Sequence, residues 1–378
     1  MTGVVRALLV NENIGGHATV HHHLRAVAAT RDDIAVHVVD VPPPGFWRKA
    51  FGVAIPGLGR IDADLRPIRY QLAQSAWVAR QLPGWLAAPE GPFDVVHLYT
   101  HNVGLLSARA LRGIPSVVTL DSTNAQSNLL HPVRETTRWS GLSTPVVRSL
   151  ERGVYERART VVANSLWTAD SLVTDYGIDR EHIEVIPMGV PLPESLSAPD
   201  ELGDGRLPRL IFIGFRMARK GGYDLLEAHQ RWLSDRCELV LVTTDDVPPG
   251  RHVTVVADAR PGDGTIGTLL DSSQIMVFPS RIDQWPNAVM EAMAHGVVPV
   301  VSRVGGLPEM VLNGEAGVLL SHNGPEAIRD AVTALLDDPA RLRQLSERAR
   351  RRVVEDLDVR HTAGRLLDIV RRAARPTG

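Results

Sequence analysis

The chain has 378 residues, which at roughly 100 to 200 residues per domain leaves room for two separate hydrophobic cores. Apolar residues make up 44% and charged residues 22%, an ordinary globular composition that excludes disorder as the main state. Lysine and arginine number 41 against 43 acidic residues, and only two of the 41, Lys49 and Lys220, are lysines. Divided at residue 190 the balance is 18 basic to 17 acidic before and 23 to 26 after, so no domain carries the basic face that nucleic acid requires.

The chain opens with one arginine and a short apolar run, ALLV from Ala7, far short of a signal-peptide core. No apolar run approaches a membrane span, and the expected location is the cytoplasm. Short runs rich in Val, Ile and Leu then recur with helix-like segments between them: VVHLY from Val95, SVVTL from Ser116, TVVAN from Thr160 and EVIP from Glu184. A stretch rich in Pro, Gly and Ser, Pro191 to Pro208, reads as a linker. The series resumes as LIFIG from Leu210, LVLVTT from Leu239, VTVVA from Val253, IMVFPS from Ile275 and VVPVVS from Val297, and closes in helices from Pro325 to Ala374. Continuous apolar strands separated by helices indicate parallel sheets covered on both faces. The expected class is therefore α/β, two doubly wound Rossmann-like domains spanning 1–190 and 200–359.

In such sheets ligands bind beyond the carboxyl ends of the strands. After the first run, Gly15 and Gly16 can bring the backbone close to an anion or simply form a tight turn. Dinucleotide, Walker, nucleophile-elbow and zinc patterns are absent, and Asp62 with Asp64 and Asp356 with Asp358 match an Asp-x-Asp metal pattern at chance level. His21, His22 and His23 diverge on a helix and read as solvated or partly buried residues. Cys237, the one cysteine, reads as a small core residue.

The second half carries more chemistry. Arg216 and Lys220 follow LIFIG in a Gly-flanked turn, the combination that a diphosphate needs. Next, Asp283, Trp285, Pro286, Asn287, Ala288, Val289 and Glu291 place two carboxylates around a helix start. Pro286 is expected in the first turn, with the amides of Asn287, Ala288 and Val289 open to a ligand. Acidic residues stabilising that helix are the structural alternative. Gly305 and Gly306 end a later strand.

These motifs, with FDVVHLYTHN from Phe93, RTVVANSLWTADSLVTDYGI from Arg159, IEVIPMGV from Ile183 and GGLPE from Gly305, resemble glycosyltransferase family 4 over nearly the whole chain. The resemblance implies the GT-B fold and transfer of a sugar from a UDP- or GDP-linked donor, with retention and without a metal or other cofactor. It implies that Gly15, Gly16, Arg216 and Lys220 hold the donor diphosphate, Asp283 and Trp285 to Val289 the donor sugar, and Glu291 the ribose. His101, Asn102 and Asn124 fall on the acceptor side, and the final helix, about 360–378, packs back on the first domain. Asp283 stands where Glu is usual, the Arg216 to Lys220 spacing is one residue short, and Asp121 stands where the family often has His. Lys220→Ala is expected to weaken nucleotide binding with folding nearly unaffected.

Rival readings are inverting transfer with His17 as base and Asp121 orienting it, a phosphorylase or epimerase of the same fold, and a two-lobed sugar-binding protein without catalysis. The acceptor is a small molecule or a lipid-linked one. For the latter, the aromatic and basic segment from Phe46 to Arg69 would suit the inner membrane surface, or it forms an acceptor-lining loop or packed helix.

Overall fold

The computed structural model describes residues 3–13, 17–43, 45–46, 50–51, 53, 55, 57–58, 66–130, 140–194, 206–259 and 264–374. The chain divides into two compact units, Met1–Met188 with Arg360–Gly378, and Gly189–Val359.

In unit 1 six strands, β1 (Val5–Asn11), β2 (Ile34–Asp40), β3 (Val95–Tyr99), β4 (Ser116–Leu120), β5 (Thr160–Ala163) and β6 (Ile183–Val185), pair in parallel in the order β2-β1-β3-β4-β5-β6. Among the described residues, the helices between them are α1 (His17–Ala28), α2 (Arg66–Leu86), α3 (Asn124–Leu130), α4 (Ser140–Arg157) and α5 (Leu166–Tyr176). Leu8, Val10, Val96, Leu98, Val118 and Leu120 meet in one core, each such side chain contributing about 1.5–3 kcal/mol through burial. Local chemistry sets the ends of α5. The Ser165 hydroxyl accepts from the Thr168 amide, and Gly177, at φ 64°, returns its N–H to Leu172 and Val173.

Unit 2 repeats the plan. Strands β7 (Arg209–Ile213), β8 (Glu238–Val242), β9 (Val253–Val256), β10 (Ile275–Phe278), β11 (Val298–Val301) and β12 (Val318–Leu319) lie parallel in the order β12-β11-β10-β7-β8-β9. Its helices are α6 (Met217–Lys220), α7 (Gly222–Ala228), α8 (Thr265–Asp271), α9 (Asn287–Ala294), α10 (Leu307–Met310), α11 (Pro325–Leu336) and α12 (Pro339–Arg352). At the unit boundary, the Val190 amide donates to Leu357 and its carbonyl accepts from Val359, so the outgoing and returning chains run side by side. The last helix, α13 (Val359–Ala373), then joins unit 1, where Arg31 pairs with Asp368 at 2.7 Å and Arg371 with Asp33 at 3.2 Å.

Two expectations change. Strands β2 and β12 had not been foreseen: β2 is a half-exposed edge strand carrying His37 and Asp40, and β12 has two residues. The division falls at Met188, beside the start of the 191–208 stretch read as a linker, of which 195–205 lie outside the described residues. His21 is buried, 2% exposed, beside the rings of His97 and Tyr99, while His22 is exposed and His23 half-buried. Cys237 is a core residue whose thiol burial pushes up to about 12.

His97 is fully buried with Nε2 2.8 Å from the Thr119 hydroxyl, and burial, aided by His21, pushes its pKa down to about 3. The folded protein thus binds this proton less readily than the unfolded chain. Its contribution is fully present above about pH 6.5 and fades as pH falls toward 3. Urea unfolding of the wild type should therefore lose a few kcal/mol between about pH 7 and pH 4 that His97→Gln does not lose; parallel pH profiles for the two proteins would contradict this.

Candidate active site

Unit 2 has the doubly wound order in which the connections on either side of the first strand leave toward opposite faces, and the crevice opens between β7 and β10. The loop after β7 carries Arg216 and Lys220; the loop after β10 carries Asp283. Lys220 Nζ lies 2.5 Å from Asp283 Oδ2, with the side chains 16% and 9% exposed. The ammonium also sits 4.8 Å from the centre of the Phe278 ring. The sequence assigned these two residues to different parts of a donor, and the fold joins them directly.

Arginines lace the same two loops together. Arg281 donates to the Ala218 carbonyl at 2.7 Å and to Asp224, and Arg219 donates to the Ile282 carbonyl at 3.3 Å. Arg216 is exposed in the left-handed region at φ 63°, and its amide and that of Met217 are taken by the Asp245 carboxylate at 3.3 and 2.6 Å. Asp245 and Arg219 had not been singled out from the sequence. The close approach of the loops requires glycine. A Cβ on Gly221 would strike the Pro279 carbonyl, one on Gly305 (φ 55°) the Asp283 carbonyl, and one on Gly306 the Trp285 ring.

Pro286 proves to be the residue before α9 rather than part of its first turn. Its carbonyl accepts from the Val289 amide at 3.2 Å. Of the three amides expected to face a ligand, Val289 is therefore engaged, and Asn287 and Ala288 remain the two helix-start donors without an intrahelical acceptor. Trp285, 5% exposed, donates from Nε1 to Met290 Sδ and serves packing. Glu291 stands one turn into α9, half-buried; burial lifts its carboxyl above the ordinary range, with His295 partly offsetting this.

In unit 1 the strand order reverses beside β1, so the crevice opens between β1 and β3. Glu12, 5% exposed, follows β1; Thr100, His101 and Asn102 follow β3; Asp121 and Asn124 follow β4. The Thr100 hydroxyl and the Asn102 side-chain amide both donate to the Glu12 carboxylate. His101 Nε2 lies 2.7 Å from Glu151 Oε1, and Glu151, fully buried, also accepts from the Asn124 side chain at 2.8 Å and the Tyr176 hydroxyl at 2.5 Å. Burial alone would lower the His101 pKa, but Glu151, with Glu12 and Asp121 beyond it, raises it above the usual histidine value. Asp121 is half-buried, with its carbonyl accepting from the Thr168 hydroxyl at 2.6 Å.

Glu12 and Glu151 were missed. Glu151 was detectable, because it falls on the apolar stripe of α4 with Val147, Val154, Tyr155 and Ala158, and a carboxylate there must find partners. Gly15, Gly16, Asp62 and Asp64 and most of 47–65 lie outside the described residues, as does the side chain of His17, whose backbone begins α1. Among the described residues no group of three or more His, Cys, Asp or Glu is arranged to hold a metal, and no helix is long and apolar enough to cross a membrane.

Two doubly wound units, each with its polar residues at the strand-order reversal, make up a GT-B fold. A model described as Glycosyltransferase Family 4 matches residues 14–194, and one described as Glycosyl transferases group 1 matches 207–338. The chain is 30% identical to the MMP alpha-(1->4)-mannosyltransferase of Mycolicibacterium hassiacum, covering 76% of this chain and 72% of that one. It is 29% identical to the alpha-maltose-1-phosphate synthase of Mycolicibacterium smegmatis, covering 74% and 79%. Anabaena HepE, solved with UDP-glucose, has the same fold at a TM-score of 0.65 and 16% identity, covering 96% and 98%. The chain belongs to glycosyltransferase family 4 and is a sugar-transferring enzyme.

The Lys220–Asp283 pair corrects the expectation that Lys220→Ala would leave folding nearly unaffected. Removing either partner alone strands a largely buried charge and should cost about 3–5 kcal/mol, whereas Lys220→Ala with Asp283→Ala should cost clearly less than the sum. Additive losses in a double-mutant cycle by urea unfolding would show that the pair is not coupled.

Proposed function

We propose that the protein is a retaining glycosyltransferase that takes a sugar from a UDP- or GDP-linked donor held by unit 2 and passes it to a small hydroxyl-bearing acceptor held by unit 1. The observation that carries this reading is the Lys220–Asp283 pair at the β7/β10 crevice, with Glu291 one turn into the adjoining helix. A donor diphosphate needs cationic and N–H partners. Lys220, Arg216 and the start of α9 supply them beside a carboxylate suited to sugar hydroxyls. The likeness to a fold solved with UDP-glucose supports UDP among the candidate nucleotides.

In this reaction the bond from the anomeric carbon to the diphosphate oxygen breaks and a bond to the acceptor oxygen forms on the same face. The acceptor proton passes to the departing phosphate oxygen, so no strong protein base is needed. Stabilisation of the departing diphosphate by Arg216 and Lys220, without a metal, supplies much of the rate. Asp283 releases Lys220 to the diphosphate as it turns to the sugar, and Glu291 takes the ribose hydroxyls.

Two measurements test this. Asp283→Ala should abolish most transfer yet keep or raise affinity for bare UDP or GDP, because its lysine is freed. Glu291→Ala should weaken the bare nucleotide about tenfold, near 1.4 kcal/mol. Equal loss of nucleotide affinity in both variants would reject the division of roles. The product's anomeric configuration, read by NMR, should match the donor's; inversion would reject the retaining mechanism and return His17 to the position of base.

A further inference from the structure

The β1/β3 crevice of unit 1 holds the buried carboxylate of Glu12. Among the described residues that directly follow β1, β3, β4 and β5, acids are present at Glu12 and Asp121 and no lysine or arginine occurs. The nearby His101 is taken up by Glu151. Glu12 instead collects hydrogen-bond donors: the Thr100 hydroxyl on Oε2, and Asn102 Nδ2 at 3.3 Å from both Oε1 and Oε2. The Asn102 amide is thereby fixed in one of its two orientations, since a flip would turn its carbonyl oxygen onto a carboxylate. What remains is Asn102 Oδ1, buried and without a hydrogen-bond partner, on a residue that is itself half-buried at the crevice. A buried polar atom left unpaired costs free energy unless something supplies the missing partner.

We propose that Asn102 Oδ1 receives a hydroxyl of a neutral polyol acceptor, and that Glu12 is the positioning residue that fixes the Asn102 amide for it. The proposal rests on the transferase reading above and narrows it to the acceptor class. An oriented carbonyl oxygen accepts hydrogen bonds and donates none, so it selects a group that brings its own proton. A phosphate ester dianion there would set its acceptor oxygens against that carbonyl oxygen and beside the Glu12 carboxylate. The group received at this position is therefore an uncharged hydroxyl of the kind a sugar or cyclitol presents.

The test uses the full chain labelled with 15N-asparagine, the Asn102 side-chain amide being assigned by its loss in Asn102→Ala. Myo-inositol, D-glucose and inorganic phosphate are the probes, each titrated with and without UDP. The expected result is that at least one polyol moves the Asn102 amide resonance saturably while phosphate does not. That polyol should then bind at least tenfold more weakly to Glu12→Gln, whose amide side chain lets Asn102 flip, and to Asn102→Ala. Should Glu12→Gln fail to fold, Asn102→Ala carries the comparison, because it leaves Glu12 its Thr100 partner. No movement with either polyol, movement with phosphate, or undiminished polyol binding in the folded variants would each overturn the proposal. A role confined to packing would lower the melting temperature of Glu12→Gln without changing its polyol affinity, and that too would overturn it. UDP binding in the same samples reads the donor side independently: its absence would reject the nucleotide-sugar reading while leaving the Asn102 result to stand or fall alone.

Discussion

A parallel sheet whose order reverses beside its first strand cannot close its own edge there. The two connections leave for opposite faces, and the gap between them is filled by a ligand or by the side chains that await one. Both units of this chain are constrained in that way, at β7/β10 and at β1/β3. Side chains on those loop pairs are brought together: Lys220 with Asp283, and Glu12 with Thr100 and Asn102.

The two gaps manage buried negative charge differently. Asp283 is matched by a lysine whose ammonium lies also against an aromatic ring, an arrangement in which the cation can be shared with an incoming anion without leaving its pocket. Glu151 is matched by a histidine whose pKa that same carboxylate raises, deep in unit 1 and largely removed from solvent. Glu12 is matched by hydrogen-bond donors from a hydroxyl and an amide. A carboxylate compensated in this last way orients its neighbours and leaves the local field negative. The polarity of each crevice is thus set by the kind of partner its buried acid has.

Much of the architecture was legible because a strand buried on both faces writes itself as an unbroken apolar run, as at Leu8, Val96, Val118 and Ile211. Strand β2 escaped because one of its faces is half-exposed, so His37 and Asp40 interrupt the run, and β12 because two residues make no pattern. At the β7/β10 crevice, Arg216, Lys220, Asp283 and Glu291 stood out because basic and acidic residues at strand ends have few structural reasons to be there. Their pairing was not legible, since it depends on which loops the strand order brings together. Asp245 was hidden for the same reason: it follows β8, distant in sequence from the amides of Arg216 and Met217 that it accepts from. Glu151 was visible in principle as a charge within an apolar helical stripe, and its partners were not.

The glycines let these loops pack closely against one another. Gly221 lets the turn after Lys220 lie against Pro279, and Gly305 and Gly306 let the turn after β11 lie against the Asp283 to Trp285 backbone, with the Gly306 amide donating to Gln284 at 2.8 Å. Each Cβ excluded there is a constraint on three loops at once, so Asp283 is held from beneath by backbone and from the side by Lys220. Asp245 then fixes the remaining free end, the left-handed turn at Arg216, through two amides. A negative group bound next to those amides has to contend with that carboxylate. Of the two basic residues, Lys220 is enclosed and paired, whereas Arg216 stands exposed on the turn.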